Sequence, residues 1–312
     1  MEALPREAWI VWWTVLGLFV GSFLNVAIHR LPLENETVSK PRRSRCPKCK
    51  TTLTWKENVP LLSWLVQLGR CRTCGWRIPA RYPIVEALTA GLWFLVAWRM
   101  LPEHFALAIV QTIVLSALVV ATFVDFACFE IPDEVSIGGI VLSPIASLLV
   151  PALHAGSPVA RWMTGESADH VTRSGALFAS VAGIVVGGGI LWLIGKLGSL
   201  MYGRDAMGFG DVKLLAAAGG FIGPGGALVV LMIGSVLASI AGLGNMLRFF
   251  VLLRSRSGPR RRRAAFGRDF KLARIAGRYL PFGPYLAVGI GIVLLYWNDV
   301  NALIPWAAIW PR

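Results

Sequence analysis

Charged residues are scarce: they make up 15% of 312 positions, and the whole chain holds 17 Asp and Glu. Against a hydrophobic content of 55%, that leaves too little polar surface to enclose a water-soluble core. What replaces charge is a series of apolar runs, each close to the ~20 residues needed to cross a bilayer, at 9–28, 105–124, 175–197 and 227–250. No small-residue cleavage pattern follows the first run, which continues directly into polar sequence. It is therefore expected to remain as a helix rather than be removed as a signal. No internal repeat is evident. The expectation is an all-α polytopic membrane protein.

The net charge is +14, which in a soluble protein would suggest nucleic acid. Here the basic residues are gathered into two polar gaps between apolar runs. From His29 to Tyr82 there are 12 Lys or Arg against three Glu, and from Arg254 to Arg278 there are 10 against Asp269 alone. Positive loops beside membrane helices stay in the cytoplasm, so both gaps are read as cytoplasmic, facing water and lipid headgroups rather than nucleic acid.

Periodicity and breakers place helices at 9–28, 84–101, 105–124, 135–153, 175–198, 212–222, 227–251 and 281–296, about eight transmembrane helices. With an external start, both basic loops fall inside. The sixth helix is short, bounded by Gly219-Gly220 and by Gly223-Pro224-Gly225-Gly226. It either joins the seventh through a tight turn or is extended by Gly208 to Asp211. The expected division is a first helix at 1–28, a cytoplasmic loop domain at 29–83, and a membrane domain at 84–312 with a basic loop at about 252–279.

Cysteine is rare too, and its placement is informative. Cys46-Pro-Lys-Cys49 and Cys71-Arg-Thr-Cys74-Gly75 are two C-x-x-C pairs in the first cytoplasmic loop. Each can present two thiolates from one turn, and together they offer a tetrahedral four-sulfur zinc site. Disulfides are disfavoured in a reducing compartment, and a redox motif would need one pair only. Four cysteines leave no open position on the metal, so the zinc would be structural, a staple for a loop with little apolar core. The fifth, Cys128, reads as a small apolar residue at a membrane boundary.

With so few acids, those beside membrane helices stand out, because an ionisable group there is costly. Asp125 closes the third helix, and Asp211 opens the sixth within Gly208-Phe-Gly210-Asp211-Val-Lys213. Singly, each could be a helix-end acid or a cap. Together, at matching depth on the cytoplasmic side, they suggest a pair in which one carboxyl holds a proton while the other activates water, hydrolysing a peptide bond without a metal. Gly208 and Gly210 would let a substrate strand approach, and Lys213 could bias the pair's ionisation.

These residues carry a resemblance that extends over almost the whole chain. Gly21-Ser-Phe-Leu-Asn25-Val-Ala-Ile-His-Arg30-Leu-Pro32, both cysteine pairs, Arg81-Tyr82-Pro83-Ile-Val-Glu86-Ala-Leu-Thr89, Asp125 with Ile131-Pro132-Asp133, and Gly208-Phe-Gly-Asp211-Val-Lys213 occur in that order. The sequence is similar to the bacterial prepilin peptidases, the type IV leader peptidase family of membrane aspartyl proteases. The resemblance implies that Asp125 and Asp211 are the catalytic pair, with Asp133 ranked second in the first motif. It implies cleavage of the basic leader of type IV prepilins and pseudopilins after a glycine, for pilus assembly or type II secretion. It further implies N-methylation of the new N-terminal residue with S-adenosylmethionine.

For methylation the residues themselves say little. The glycine runs at 187–189 and 219–226 lie in apolar segments and suit helix packing better than a cofactor cradle. Glu86 is open to three readings: structural, paired with Arg81, or part of a methyl-transfer site. A basic leader meeting a basic surface needs acidic contacts, for which Glu34, Glu36, Glu130 and Glu134 are candidates. A transporter or ion relay with a zinc-ribbon docking module is the alternative reading, as is a zinc-ribbon scaffold. A transport site, however, is expected nearer the bilayer midplane.

Overall fold

The computed structural model describes residues 5–33, 38, 43–155, 157, 159, 171–203, 207–256 and 280–303. Residues 257–279, with most of the arginine-rich loop, most of the polar gap at 155–174, which the charge pattern puts outside, and Glu34 and Glu36 lie beyond the described residues. The long helices are α1 (Arg6–Arg30), α3 (Arg81–Met100), α4 (Phe105–Cys128), α5 (Asp133–Leu149), α6 (Arg173–Tyr202), α7 (Phe209–Arg256) and α8 (Gly283–Leu303). Two short turns of helix sit in the cysteine loop, a 3-10 turn at Trp55–Asn58 and α2 (Leu62–Val66). No strand is present among the described residues, which form only two isolated bridges, Arg45 with Thr52 and Arg70 with Arg77.

Among the described residues, five helices are long and apolar enough to cross a membrane: Arg6–Arg30, Arg81–Met100, Phe105–Cys128, Arg173–Met201 and Phe209–Ser255. Their outward faces carry large apolar side chains such as Phe19, Phe23, Ile113, Val185 and Val236, all more than half exposed. Contiguous apolar exposure of this kind is stable against lipid and not against water. The chain is a multi-pass membrane protein.

α7 is two helices. Gly223 breaks it with φ +75°, a conformation open to glycine, and Pro224 follows. Residues twelve apart in a straight helix are separated by ~18 Å. Yet a Cβ built on Gly187 of α6 would lie 2.6 Å from the Leu215 carbonyl and 3.4 Å from the Ala227 Cβ. Both legs therefore lie against the same spot on α6, and the chain turns back at Gly223. The first leg, 209–222, rises ~21 Å, short of a full ~30 Å hydrocarbon core. The short sixth helix, its tight turn and its extension back to Gly210 and Asp211 are all present. So is the close packing expected of the glycine run at 187–189. Behind the reversal, His154 is buried in the turn after α5, its Nε2 2.9 Å from Ser147 Oγ.

Most helix boundaries shift outward from the sequence expectation, but α5 ends at Leu149 rather than 153 and α8 starts at Gly283 rather than 281. α4 runs past Val124 to Cys128, and the second leg of α7 continues through Arg256, the latter because long basic side chains can lie along apolar surface and still reach water. The core has two parts. One joins α4 to both legs of α7 and to α8 through Leu115, Leu215, Val230, Leu286 and Ile290. The other joins the end of α1 to α3 and α4 through Ile28, Val85, Val120 and Val124.

Candidate active site

Three helix ends converge on Ile131. α4 stops when Phe129 adopts φ 58° and its N–H bonds the Asp125 carbonyl at 2.9 Å. The link through Glu130, Ile131 and Pro132 then leads into α5. A Cβ on Gly210, at the start of α7, would sit 3.3 Å from the Ile131 Cβ, and one on Gly283, at the start of α8, would sit 3.0 Å from its Cδ1. Glycine at 210 thus lets α7 begin against this link. Gly208 is less constrained: a Cβ there would meet only Asp211 Oδ2, at 3.6 Å.

The result is a cavity of about 1070 Å³, counting its open mouth, with Asp125 and Asp211 both in its wall. Asp125, in the last turn of α4, is 5% exposed, and its Oδ2 is buried without a hydrogen-bond partner. Asp211 lies in the first turn of α7, where the helix dipole favours a carboxylate. Asp133, the rival for the first position, is an exposed acid at the start of α5 and forms an ion pair with Lys213. Lys213 is thereby held by Asp133 rather than by either wall acid. Glu130 and Glu134 also line the cavity, giving its mouth acidic groups that a basic peptide can meet.

The two C-x-x-C turns fold alike. Cys46 N–H bonds Thr51 O at 2.9 Å, and Cys71 N–H bonds Trp76 O at 2.8 Å; the left-handed positions are Lys50 and Gly75. The ligand atoms of Cys46, Cys49, Cys71 and Cys74 lie within 4.8 Å of one another, with Cys46 and Cys74 Sγ 3.9 Å apart. Tetrahedral zinc with sulfur at ~2.3 Å requires sulfurs about 3.8 Å apart, so these four fit the ion. Thr51 hydrogen bonds hold the Cys49 thiol down at about 6, the direction of the thiolate a metal binds, whereas Cys74, despite the Trp76 backbone hydrogen bond, is pushed up to about 11 by burial and the other three thiols.

Glu86 is buried, and its Oε2 accepts the Leu61 N–H at 2.8 Å. It ties the cysteine loop to α3, and no pairing with Arg81 forms. Two residues beside these sites received no role from the sequence, Gly283 not being singled out and Asn25 standing only within a motif. Gly283 abuts Asp125: a Cβ there would be 2.5 Å from Oδ2. Asn25 is 2% exposed and bridges α1 to α3, donating to Tyr82 O at 3.0 Å. The Pro281-Phe-Gly-Pro284 cluster opening an apolar helix was the available signal for Gly283, since it mirrors the glycine-rich entry to Asp211.

Residues 15–100 match the model of the bacterial peptidase A24 N-terminal domain, and residues 112–243 match that of the type IV leader peptidase family. A prepilin leader peptidase/N-methyltransferase of Aeromonas salmonicida (strain A449) is 34% identical, covering 91% of this chain and 89% of its own length. A protein of the same name from Pseudomonas putida is 31% identical over 93% and 91%. That of Myxococcus xanthus (strain DK1622) is 35% identical over 79% and 64%. No solved structure matches. With two family models spanning the cysteine loop and both acids, and relatives aligned along most of its length, this chain belongs to the type IV leader peptidase family.

Proposed function

We propose that this protein removes the leader from type IV prepilins and pseudopilins, cutting after a glycine, and methylates the new N-terminal residue. The observation that carries the peptidase half is one cavity walled by Asp125 and Asp211 at the converging ends of α4, α7 and α8. The chemistry is metal-free acid–base hydrolysis. The ionised carboxylate of the pair takes a proton from water, whose oxygen attacks the scissile carbonyl carbon. The protonated partner gives its proton to the carbonyl oxygen. When the tetrahedral intermediate collapses, the C–N bond breaks, the amide nitrogen leaves with a proton from the first carboxyl, and one hydroxyl of the intermediate returns its proton to the second, restoring the pair.

Charge supports the orientation. The basic cysteine loop follows α1 and belongs on the cytoplasmic side, and Leu31 and Pro32 at its root line the same cavity as the two acids. The active site therefore faces the cytoplasm of the inner membrane. There the acidic groups Glu130 and Glu134 meet the basic leader, and headgroups surround the rim. An ion relay finds no support, since both acids stand at helix ends. Zinc held by Cys46, Cys49, Cys71 and Cys74 is structural. S-adenosylmethionine supplies the methyl group. A co-expressed prepilin tests the whole reading by mass spectrometry: leader loss plus one methyl group is expected, and an intact prepilin overturns it.

A further inference from the structure

A second cleft, of about 1150 Å³ with its mouth, lies between the cysteine loop and the ends of α1 and α3. The leader chemistry does not use it. Trp64, Trp76 and Tyr82 give it aromatic walls, and Asn25, Glu57 and Glu86 give it polar ones. Two of these polar side chains are more than nine-tenths buried, Asn25 at 2% exposed and Glu86 at 8%. The Asn25 Nδ2 is used twice, on Gly21 O and Tyr82 O, whereas its Oδ1 is buried with no partner. An unmet acceptor of this kind destabilises the empty site by about 1–3 kcal/mol and is satisfied when a ligand donor arrives.

Resting on the methyltransferase part of the proposed function, we propose that this cleft is the S-adenosylmethionine site. A flat purine suits the indole walls. A sulfonium is attracted to aromatic faces and carboxylates, and an amino or hydroxyl donor of the ligand meets Asn25 Oδ1. Placement adds an independent argument. His29 and Arg30 line this cleft, and the next two residues, Leu31 and Pro32, line the cavity holding Asp125 and Asp211. The two sites flank one turn of chain at the end of α1. An N-terminus freed in one reaches the other by passing over residues 29–32, without release to solvent.

The test uses full-length protein in detergent. Radiolabelled S-adenosylmethionine is photo-cross-linked and the labelled peptides are mapped, and S-adenosylhomocysteine affinity is measured by calorimetry. Label is expected on peptides containing Trp64 or Trp76, with at least tenfold weaker affinity in Asn25→Leu at unchanged zinc content. Asp211→Asn is expected to bind like the wild type. Label confined to other helices, or wild-type affinity in Asn25→Leu, overturns the assignment and leaves the methyltransferase reading standing. No binding to the wild type overturns both. Cross-linking on the wild type decides the matter even if Asn25→Leu fails to fold.

Discussion

Gly283 lies against the Asp125 carboxylate, so close that a methyl group there would fall 2.5 Å from Oδ2. The side chain of Asp125 is short, and α4 and the Ile131 link enclose it, so it can yield only by leaving its position. Gly283→Ala is expected to lower kcat for leader cleavage at least tenfold while leaving KM within about twofold, because displacement of a catalytic group by ~1 Å costs rate more than binding. Steady-state kinetics on a prepilin check this; an unchanged kcat would show that Asp125 is not held there.

The Lys213 and Asp133 pair lies at the cavity mouth with Asp133 60% exposed, where such pairs contribute about 0–1 kcal/mol. Lys213→Met and Asp133→Asn are each expected to reduce cleavage less than tenfold. The double variant should be no worse than the poorer single, as for residues acting through one contact. Loss of cleavage in Lys213→Met beyond a hundredfold would instead give Lys213 a direct part in the chemistry.

Cys46→Ser with Cys71→Ser removes one ligand from each turn. Zinc content by mass spectrometry is expected to fall to background, and methylation to fail before cleavage does, since Glu86 ties this loop to α3 through Leu61. Unchanged zinc would place the metal elsewhere.

His154 carries a pH signature. Burial pushes its imidazole down from 6.5 to about 4, so between those values the unfolded chain binds a proton that the folded one refuses. The stability is present above pH ~6.5 and is lost as pH falls towards ~4, up to about 3 kcal/mol in all. His154→Gln is expected to flatten the fall in Tm between pH 7.5 and 5. The same fall in the variant would assign the pH dependence to another group.

Much of this was legible in the sequence because it is local. Apolar runs marked the helices, the two C-x-x-C turns marked the sulfur site, and the Gly-Phe-Gly entry marked Asp211. The reversal at Gly223 was half legible: Pro and Gly announce a break, but whether the chain kinks or returns depends on what α6 presents. The contact between Gly283 and Asp125 spans more than 150 positions, and nothing near Asp125 encodes it. Asn25 was legible as part of a motif, whereas its unmet acceptor exists only once α3 packs against α1. Lys213 was read toward the acids beside it in sequence, although the start of α5 brings a better partner closer.

The most direct measurement is prepilin cleavage by purified Asp125→Asn and Asp211→Asn, followed by mass spectrometry of the leader. Each substitution keeps the size of the side chain and removes its ability to exchange a proton, so each is expected to reduce cleavage at least a thousandfold, with zinc content and Tm near wild type. Full cleavage by either variant would contradict the two-aspartate mechanism.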